Sequence, residues 1–156
     1  MFFRWTHLVR GFIALGSLAT SVLWAGSDKG PKPMPVYTQE CGSCHVAFPA
    51  NLLPKASWGR VMNDLEKHYG SDASLDPATQ KQIETWLQTY GGLGKRAKEE
   101  PPQERITRSV WFERKHREVS AATFKRASIK SPANCMACHR DAAQGDFEDH
   151  NVSIPK

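Results

Sequence analysis

The sequence has no long apolar run and no cysteine outside two short motifs. Of its 156 residues 40% are hydrophobic, and a good part of these lie within the first 25 positions, so little apolar material remains for a large core. No stretch alternates apolar and polar residues in the manner of a half-buried strand. These absences argue against a β-rich fold. They favour small helical domains that need a cofactor, metal or cross-link for stability.

The first 25 residues have the order of a secretory signal peptide. Arg4 and Arg10 precede an uncharged, mostly apolar run at 11–24, and Ala25 offers a small residue for cleavage before a polar stretch. That run is shorter than the ~20 residues that a membrane-spanning helix needs. We therefore predict a signal peptide at 1–25 and a periplasmic protein. An uncleaved N-terminal membrane anchor is the alternative.

All four cysteines belong to two Cys-x-x-Cys-His motifs, at residues 41–45 and 135–139. Two thiols three positions apart can add to the two vinyl groups of one haem, and the next histidine then gives the iron an axial imidazole. The motifs therefore predict two covalently attached haem c groups. The attachment residues would be Cys41, Cys44, Cys135 and Cys138, and the proximal iron ligands would be His45 and His139.

Zinc and disulfide chemistry are the alternatives for these cysteines. A zinc ribbon places its paired cysteines about 15–20 residues apart, whereas 90 residues separate Cys44 from Cys135. Two disulfides would suit an exported protein, but they leave unexplained why a histidine follows both motifs. Thioredoxin-like chemistry needs one such motif within a βαβ unit, and no strand pattern is present.

Helix signals in the first half of the mature chain surround the first motif. Residues 37–45 read as a short helix that ends in the motif. Ser57 is a candidate N-cap for a helix that stops at Gly70. Asp76-Pro77 combines a capping carboxylate with a first-turn proline, and the helix that follows should end near Gly91.

The second half contains its motif at the end rather than at the start. Thr107 or Ser109 can cap a helix, and the Ser-Pro pair at 131–132 should open a last helix that contains the second motif. Residues 94–104 are charged and contain prolines, which is typical of a linker. We predict an all-α protein of two small cytochrome c-like haem domains joined by this linker. Their bounds are 26–93 for the N-terminal domain and 105–156 for the C-terminal domain.

A second axial ligand for the first iron is expected among the remaining histidines. His68 follows Val61 and Leu65 at helical spacing, on the flank of the apolar face, from which it can point towards a buried ring. A surface histidine near a helix C-terminus is the simpler interpretation. Met62 is the rival ligand, as in His/Met cytochromes, although a methionine on an apolar stripe is more often part of a core.

For the second iron His116 is favoured over His150. His116 shares a helix face with Phe112 and Val119, which indicates that it points inward despite its basic neighbours. One more solvated polar side chain is the alternative. His150 lies eleven residues after His139 and could fold back onto the iron, but a helix positions a ligand more firmly than a tail.

Charge is unevenly placed along the mature chain. Residues 95–130 contain 11 basic and 5 acidic side chains, whereas the flanking segments 26–94 and 131–156 are slightly negative. A basic segment can serve nucleic acid, an anionic membrane or an acidic protein. Export argues against nucleic acid. We expect a solvated helix face that also neutralises haem propionates, with a docking patch as the alternative.

Several segments together resemble the dihaem cytochrome c family that accompanies small oxygen-binding haem proteins and membrane cytochromes b. The resemblance implies two domains, bis-histidine haems and an electron-donor role in the periplasm. Carried over by position, His68 and His116 are the distal ligands, with His150 as a competitor. The segments that carry the resemblance are 40–45, 52–58, 68–75, 105–107, 111–116, 134–139, 145–147 and 154–155.

The function that these observations favour is electron transfer, not catalysis. An iron with two protein ligands has no open position for a substrate, so no small-molecule substrate is expected. The expected partners are redox proteins, and the resemblance adds a small oxygen-binding haem protein and a membrane cytochrome b. A dihaem peroxidase-like enzyme or a haem-based ligand sensor is the alternative, and either would need one open iron.

Overall fold

The computed structural model describes residues 30–156, and within this range the chain is helical and contains no β-strand. Only two isolated bridges occur there, between His68 and Ser71 and between His139 and Val152. The predicted all-α fold class is confirmed. The predicted signal peptide at 1–25 lies outside the described residues. No helix in the described part of the chain is both long enough and apolar enough to cross a membrane.

Five α-helices and a series of short 3-10 turns make up this part of the chain. The α-helices are α1 (Pro35–Cys41), α2 (Lys55–Asn63), α3 (Pro77–Tyr90), α4 (Val110–Lys115) and α5 (Ala121–Phe124). The 3-10 turns are Ala50–Leu52, Leu65–Lys67, Lys95–Ala97, Pro102–Glu104, Ile106–Arg108, Cys135–Ala137, Ala142–Gln144 and Asp149–Asn151.

The longest helix, α3, begins and ends where the sequence signals predict. The Asp76 carboxylate accepts hydrogen bonds from the backbone N–H groups of Ala78 and Thr79, which satisfies two donors that the first helical turn leaves free. At the other end, a Cβ on Gly91 would lie 2.8 Å from Trp58 and 2.6 Å from a backbone oxygen. Only glycine therefore lets the chain leave α3 against Trp58.

The core lies among α1, α2 and α3. The polar groups of its two buried aromatic side chains are hydrogen-bonded: the Trp58 indole N–H donates to the Ala50 carbonyl at 2.7 Å, and the Tyr37 hydroxyl donates to the Phe48 carbonyl at 2.7 Å. The buried members of this cluster are Tyr37, Ala47, Ala50, Leu52, Leu53, Trp58, Met62, Leu65, Ile83, Leu87 and Ile106. The first motif is thus placed at the edge of a sizeable apolar core.

The segment predicted as a linker packs against this core. Ala97 and Pro101 are buried, and Arg60 of α2 forms ion pairs with Glu100 and Glu104. Ile106, just beyond, belongs to the apolar cluster. The division of the chain into two domains stays a prediction.

The C-terminal third is built from two short helices and several turns. The Ser109 hydroxyl accepts from the Phe112 N–H and so caps α4, as one of the two predicted caps. The predicted last helix is wrong, because the second motif lies in the 3-10 turn Cys135–Ala137. The predicted Ser57 cap is also wrong, since α2 begins at Lys55 and Ser57 lies buried within its first turn.

Candidate haem sites

The first motif follows directly from α1, which ends at Cys41. Cys41 is half-buried and Cys44 is exposed, and the structure joins neither of them in a disulfide. The ring of His45 stacks on Phe48, with ring centroids 4.7 Å apart and planes 23° apart. Its Nδ1 lies 2.7 Å from the Val46 carbonyl oxygen. A proton on Nδ1 donated to that carbonyl leaves the Nε2 lone pair free for a metal.

His68 reaches the first motif by a route that the sequence did not indicate. Helix α2 ends at Asn63, so the helix-face argument for His68 is wrong, and a 3-10 turn at Leu65–Lys67 precedes the histidine. The chain then reverses at Tyr69 and Gly70, where φ is +50° and +99°. This reversal brings the His68 ring to 6.2 Å from the His45 ring, centroid to centroid.

His116 and His139 form a second pair of facing rings. Their centroids are 6.1 Å apart, and His116 stacks on Phe112 at 3.9 Å. His116 lies directly after α4, and its Nδ1 is 2.9 Å from the Phe112 carbonyl oxygen. The buried Nδ1 of His139 has no hydrogen-bond partner within residues 30–156. In both pairs the two histidines are 23 positions apart in the sequence.

The separation of the rings is what one metal ion between them would require. Two imidazoles bound to opposite sides of a metal, with metal–nitrogen bonds of about 2.0 Å, have their ring centroids about 6 Å apart. Both pairs meet this requirement. Each pair also lies beside two thiols of a Cys-x-x-Cys-His motif. The residues present therefore fit one haem c with two axial imidazoles at each site.

Met62 and His150 were the rival ligands. Met62 is 3% exposed and belongs to the apolar cluster of the first half. His150 is exposed, and the neighbouring Asp149 carboxylate lies 3.8 Å from the Lys115 ammonium group. The ring that the structure brings to His139 is therefore that of His116.

The electrostatics of the site favour neutral imidazoles. Burial, followed by the neighbouring His45 and Arg105, lowers the pKa of His68 below its usual value. Burial likewise lowers the pKa of His139, with His116 adding to the effect. A metal binds the neutral imidazole, so a lowered pKa keeps the ring ready to ligate near neutral pH.

The thiols of Cys41 and Cys135 have a raised pKa, in contrast to the lowered pKa of these histidines. Burial, with a smaller contribution from Glu40, raises the pKa of Cys41 to about 11. Burial raises the pKa of Cys135 to about 11 as well. Dithiol redox chemistry depends on a thiol of lowered pKa. These thiols are protonated at neutral pH, which disfavours the dithiol alternative.

A cluster of contacts around the first site was not anticipated. An open cavity of about 630 Å³ lies beside His68 and Tyr69. The Arg105 guanidinium sits 4.3 Å from the centre of the Tyr69 ring, and the Tyr69 hydroxyl donates to the Gln103 carbonyl at 3.1 Å. These contacts tie the loop that presents His68 to the segment that leads into the second half. No short motif in the sequence signals them, because the residues are more than thirty positions apart.

Comparison with known proteins agrees with the geometry. The family model for dihaem cytochrome c matches residues 37–147. A dihaem cytochrome c from Shewanella baltica OS155, known from an X-ray structure, superposes with a TM-score of 0.68 at 37% identity, covering 78% of this chain and 92% of that one. A search of curated proteins gave no significant match.

Two structures of dihaem cytochrome c from Rhodobacter sphaeroides are also similar. They superpose with TM-scores of 0.64 and 0.63 at 40% and 42% identity, and each comparison covers 73% of this chain and 96% of that one. The family match spans both motifs and both facing histidine pairs. The chain therefore belongs to the dihaem cytochrome c family, and its cofactors are two covalently attached haem c groups.

Proposed function

We propose that this protein is a periplasmic electron carrier in which both haems have two histidine ligands. The observation that carries the proposal is the pair of facing imidazoles at each motif, with centroids 6.2 and 6.1 Å apart. His45 and His68 would ligate the first iron, and His116 and His139 the second. A haem iron exchanges one electron between its ferrous and ferric states.

The protein's own residues limit the chemistry to electron exchange. With an imidazole bound on each side, neither iron would offer a position at which a substrate could bind. Hydrogen bonds from Nδ1 of His45 and His116 to backbone carbonyls hold these rings in place. A dihaem peroxidase-like enzyme or a haem-based ligand sensor would require one of these imidazoles to leave. At the second site, the packing of Phe112 on the distal His116 disfavours such a movement.

The partners are proposed at two levels of detail. Arg114, Lys115 and Arg117 adjoin His116 in the sequence and are exposed, so an acidic redox protein could approach the second haem there. Resemblance to the family suggests a small oxygen-binding haem protein and a membrane cytochrome b as the exchange partners. The proposal also includes two haem domains, at 26–93 and 105–156, and a linker between them at 94–104. Residues 1–25 would be the signal peptide that exports the protein.

Carbon monoxide tests the ligation. The reduced native protein should bind no carbon monoxide, because the four histidines would occupy all four axial positions. His68→Ala and His116→Ala should each let half of the haem bind carbon monoxide, seen as a change in the reduced visible spectrum, with the other half unchanged. His150→Ala is the matched control and should behave as the native protein. If His150→Ala opens an iron and His116→Ala does not, the second ligand set is wrong. Binding at full stoichiometry by the native protein would instead support an enzyme or sensor.

A further inference from the structure

We propose that the two haems differ electronically because the protein holds the two pairs of imidazole rings at different angles. The planes of His45 and His68 are 24° apart, close to parallel. The planes of His116 and His139 are 74° apart, close to perpendicular. The inference rests on the bis-histidine ligation proposed above, and it concerns the side chains that fix each ring.

In the first pair, contacts on both rings favour the near-parallel arrangement. Phe48 stacks on His45 with planes 23° apart, and the Val46 carbonyl oxygen lies 2.7 Å from His45 Nδ1. Tyr69 meets His68 edge-on at 4.8 Å and 66°, and the backbone bridge between His68 and Ser71 fixes the turn beneath it. Neither ring can rotate about its bond to a metal without losing one of these contacts.

In the second pair a single residue controls one ring. Phe112 stacks on His116 at 3.9 Å with planes 21° apart, and the carbonyl of the same residue lies 2.9 Å from His116 Nδ1. The plane of His116 is thus tied to the last turn of α4. Within the described residues the Nδ1 of His139 has no hydrogen-bond partner, and its ring meets Phe147 edge-on at 5.5 Å and 63°. The two rings are therefore oriented by different elements, which hold them near a right angle.

The angle has a direct electronic consequence. An imidazole donates π electrons to the metal d orbital that lies perpendicular to its ring plane. Two parallel rings act on the same d orbital and separate it in energy from the second d orbital of π symmetry. Two perpendicular rings act on one of these orbitals each and leave the two nearly equal in energy. A ferric low-spin centre with separated orbitals gives a rhombic electron paramagnetic resonance (EPR) spectrum with three resolved components. Nearly equal orbitals give one strongly anisotropic signal at lower field. Ligand orientation is thus a means, besides ligand identity, of making two haems different.

Low-temperature EPR spectroscopy of the oxidised holoprotein is the test. We expect two low-spin signals of equal intensity, one rhombic and one strongly anisotropic. Two rhombic signals, or two anisotropic ones, would overturn the difference in angle and leave the bis-histidine ligation intact. A high-spin signal, or a methionine charge-transfer band in the near infrared, would instead show that the ligation itself is wrong.

Substitution of the stacked rings assigns the signals. Phe112→Leu should shift the anisotropic signal alone, and Phe48→Leu should shift the rhombic signal alone. The matched control is Phe124→Leu, because Phe124 lies in the same pocket but is tilted by 52° and centred 6.3 Å from His116. It should leave both signals in place. If Phe112→Leu shifts the rhombic signal, or neither stacked substitution shifts any signal, these residues do not set the ring planes. Should Phe112→Leu fail to hold its haem, the Phe48→Leu spectrum and the native spectrum still decide the matter.

Discussion

The two haem sites are alike in ring spacing and differ in what surrounds them. The first site borders a cluster of eleven buried residues, ten from α1 to α3 and the turns between them, and Ile106 from a later turn. Around the second site the buried apolar side chains within residues 30–156 are few, namely Phe112, Ile129 and Ala142, and the chain is held mostly by short turns. Similar spacing of the imidazole rings is therefore reached beside an apolar core in one case and within a network of turns in the other.

This difference indicates that the haem has a larger structural role at the second site. A small domain without an adequate apolar core depends on a cofactor or cross-link for its fold. The C-terminal residues add backbone ties, with Arg126 donating to the Pro155 carbonyl at 2.7 Å and the Ser153 N–H donating to the Cys138 carbonyl at 2.9 Å. These hydrogen bonds hold the chain around the motif but bury little apolar surface.

Removing one haem at a time should give the largest effect. Cys135→Ala with Cys138→Ala, and Cys41→Ala with Cys44→Ala, should each lower the mass by one haem. Without the second haem, amides in 110–156 should exchange freely with solvent, because few buried contacts remain there. Without the first, α2 and α3 should stay protected. Hydrogen exchange read by mass spectrometry measures both.

The matched control for the haem-loss variants is Met136→Ala. Met136 lies between the second pair of cysteines and is 52% exposed, so its loss should leave both haems and all protection unchanged. Equal protection of the C-terminal region with and without its haem would contradict the proposed difference. If the protein is expressed with a cytochrome c maturation system and contains zinc but no haem, haem attachment is contradicted altogether.

A smaller effect is expected from truncating one buried isoleucine in each region. Ile83 is fully buried in the cluster around α3, so Ile83→Ala should lower the free energy of unfolding by about 2–5 kcal/mol. Ile129 is 1% exposed but lies outside that cluster, so Ile129→Ala should fall near the lower end of the same range. Denaturant unfolding of the holoprotein followed by circular dichroism compares them. A larger loss at Ile129 would mean that the second region has a tight core of its own.

The smallest effect concerns the surface of the second region. Arg114, Lys115 and Arg117 are exposed. Lys115 and Arg117 lie 3.8 and 3.6 Å from carboxylates, in exposed ion pairs that contribute little to stability. Reversing all three to Glu should slow electron transfer to an acidic partner at low salt and leave both haem spectra unchanged. The rate of the native protein should fall as ionic strength rises, since charges are screened over about 10 Å at 0.1 M.

Stopped-flow measurement of that rate includes a control from the first region. Lys67 and Lys81 are exposed basic residues far in sequence from the second site, and their reversal to Glu should leave the rate nearly unchanged. A rate that does not depend on salt would remove the docking surface. A disturbed haem spectrum in the triple variant would show that these side chains serve the haem instead.

Sequence signals predicted the elements whose chemistry is local. Asp76 and Ser109 each cap a helix through their own side chains, so a few adjacent residues suffice to identify them. The motifs likewise specify the attachment residues through covalent chemistry that requires a fixed spacing. His68 and His116 were predicted as distal ligands, and the structure places the ring of each about 6 Å from a motif histidine, although the reasoning for His68 assumed a longer helix.

What the sequence did not predict depends on contacts between distant residues or on a short element's stability. The Ser-Pro pair at 131–132 resembles a helix start, yet too few apolar residues follow to offset the cost of helix nucleation. Ser57 resembles a cap, but Pro54 already precedes the helix and the core buries the serine. The ring planes follow from side-chain torsions set by Phe48, Phe112 and Phe147, which no local pattern specifies.

The equal sequence spacing within the two histidine pairs has a consequence for the entropy of loop closure. Each pair closes a loop of 23 positions, although the motif comes first in one loop and last in the other. The entropy lost on closing a flexible loop depends on the logarithm of its length and not on the direction in which the chain runs. Both closures therefore carry the same chain-entropy penalty. If each pair ligates an iron as proposed, a difference in how firmly the two irons are held would come from the walls of the pockets and not from the length of the chain between the two histidines.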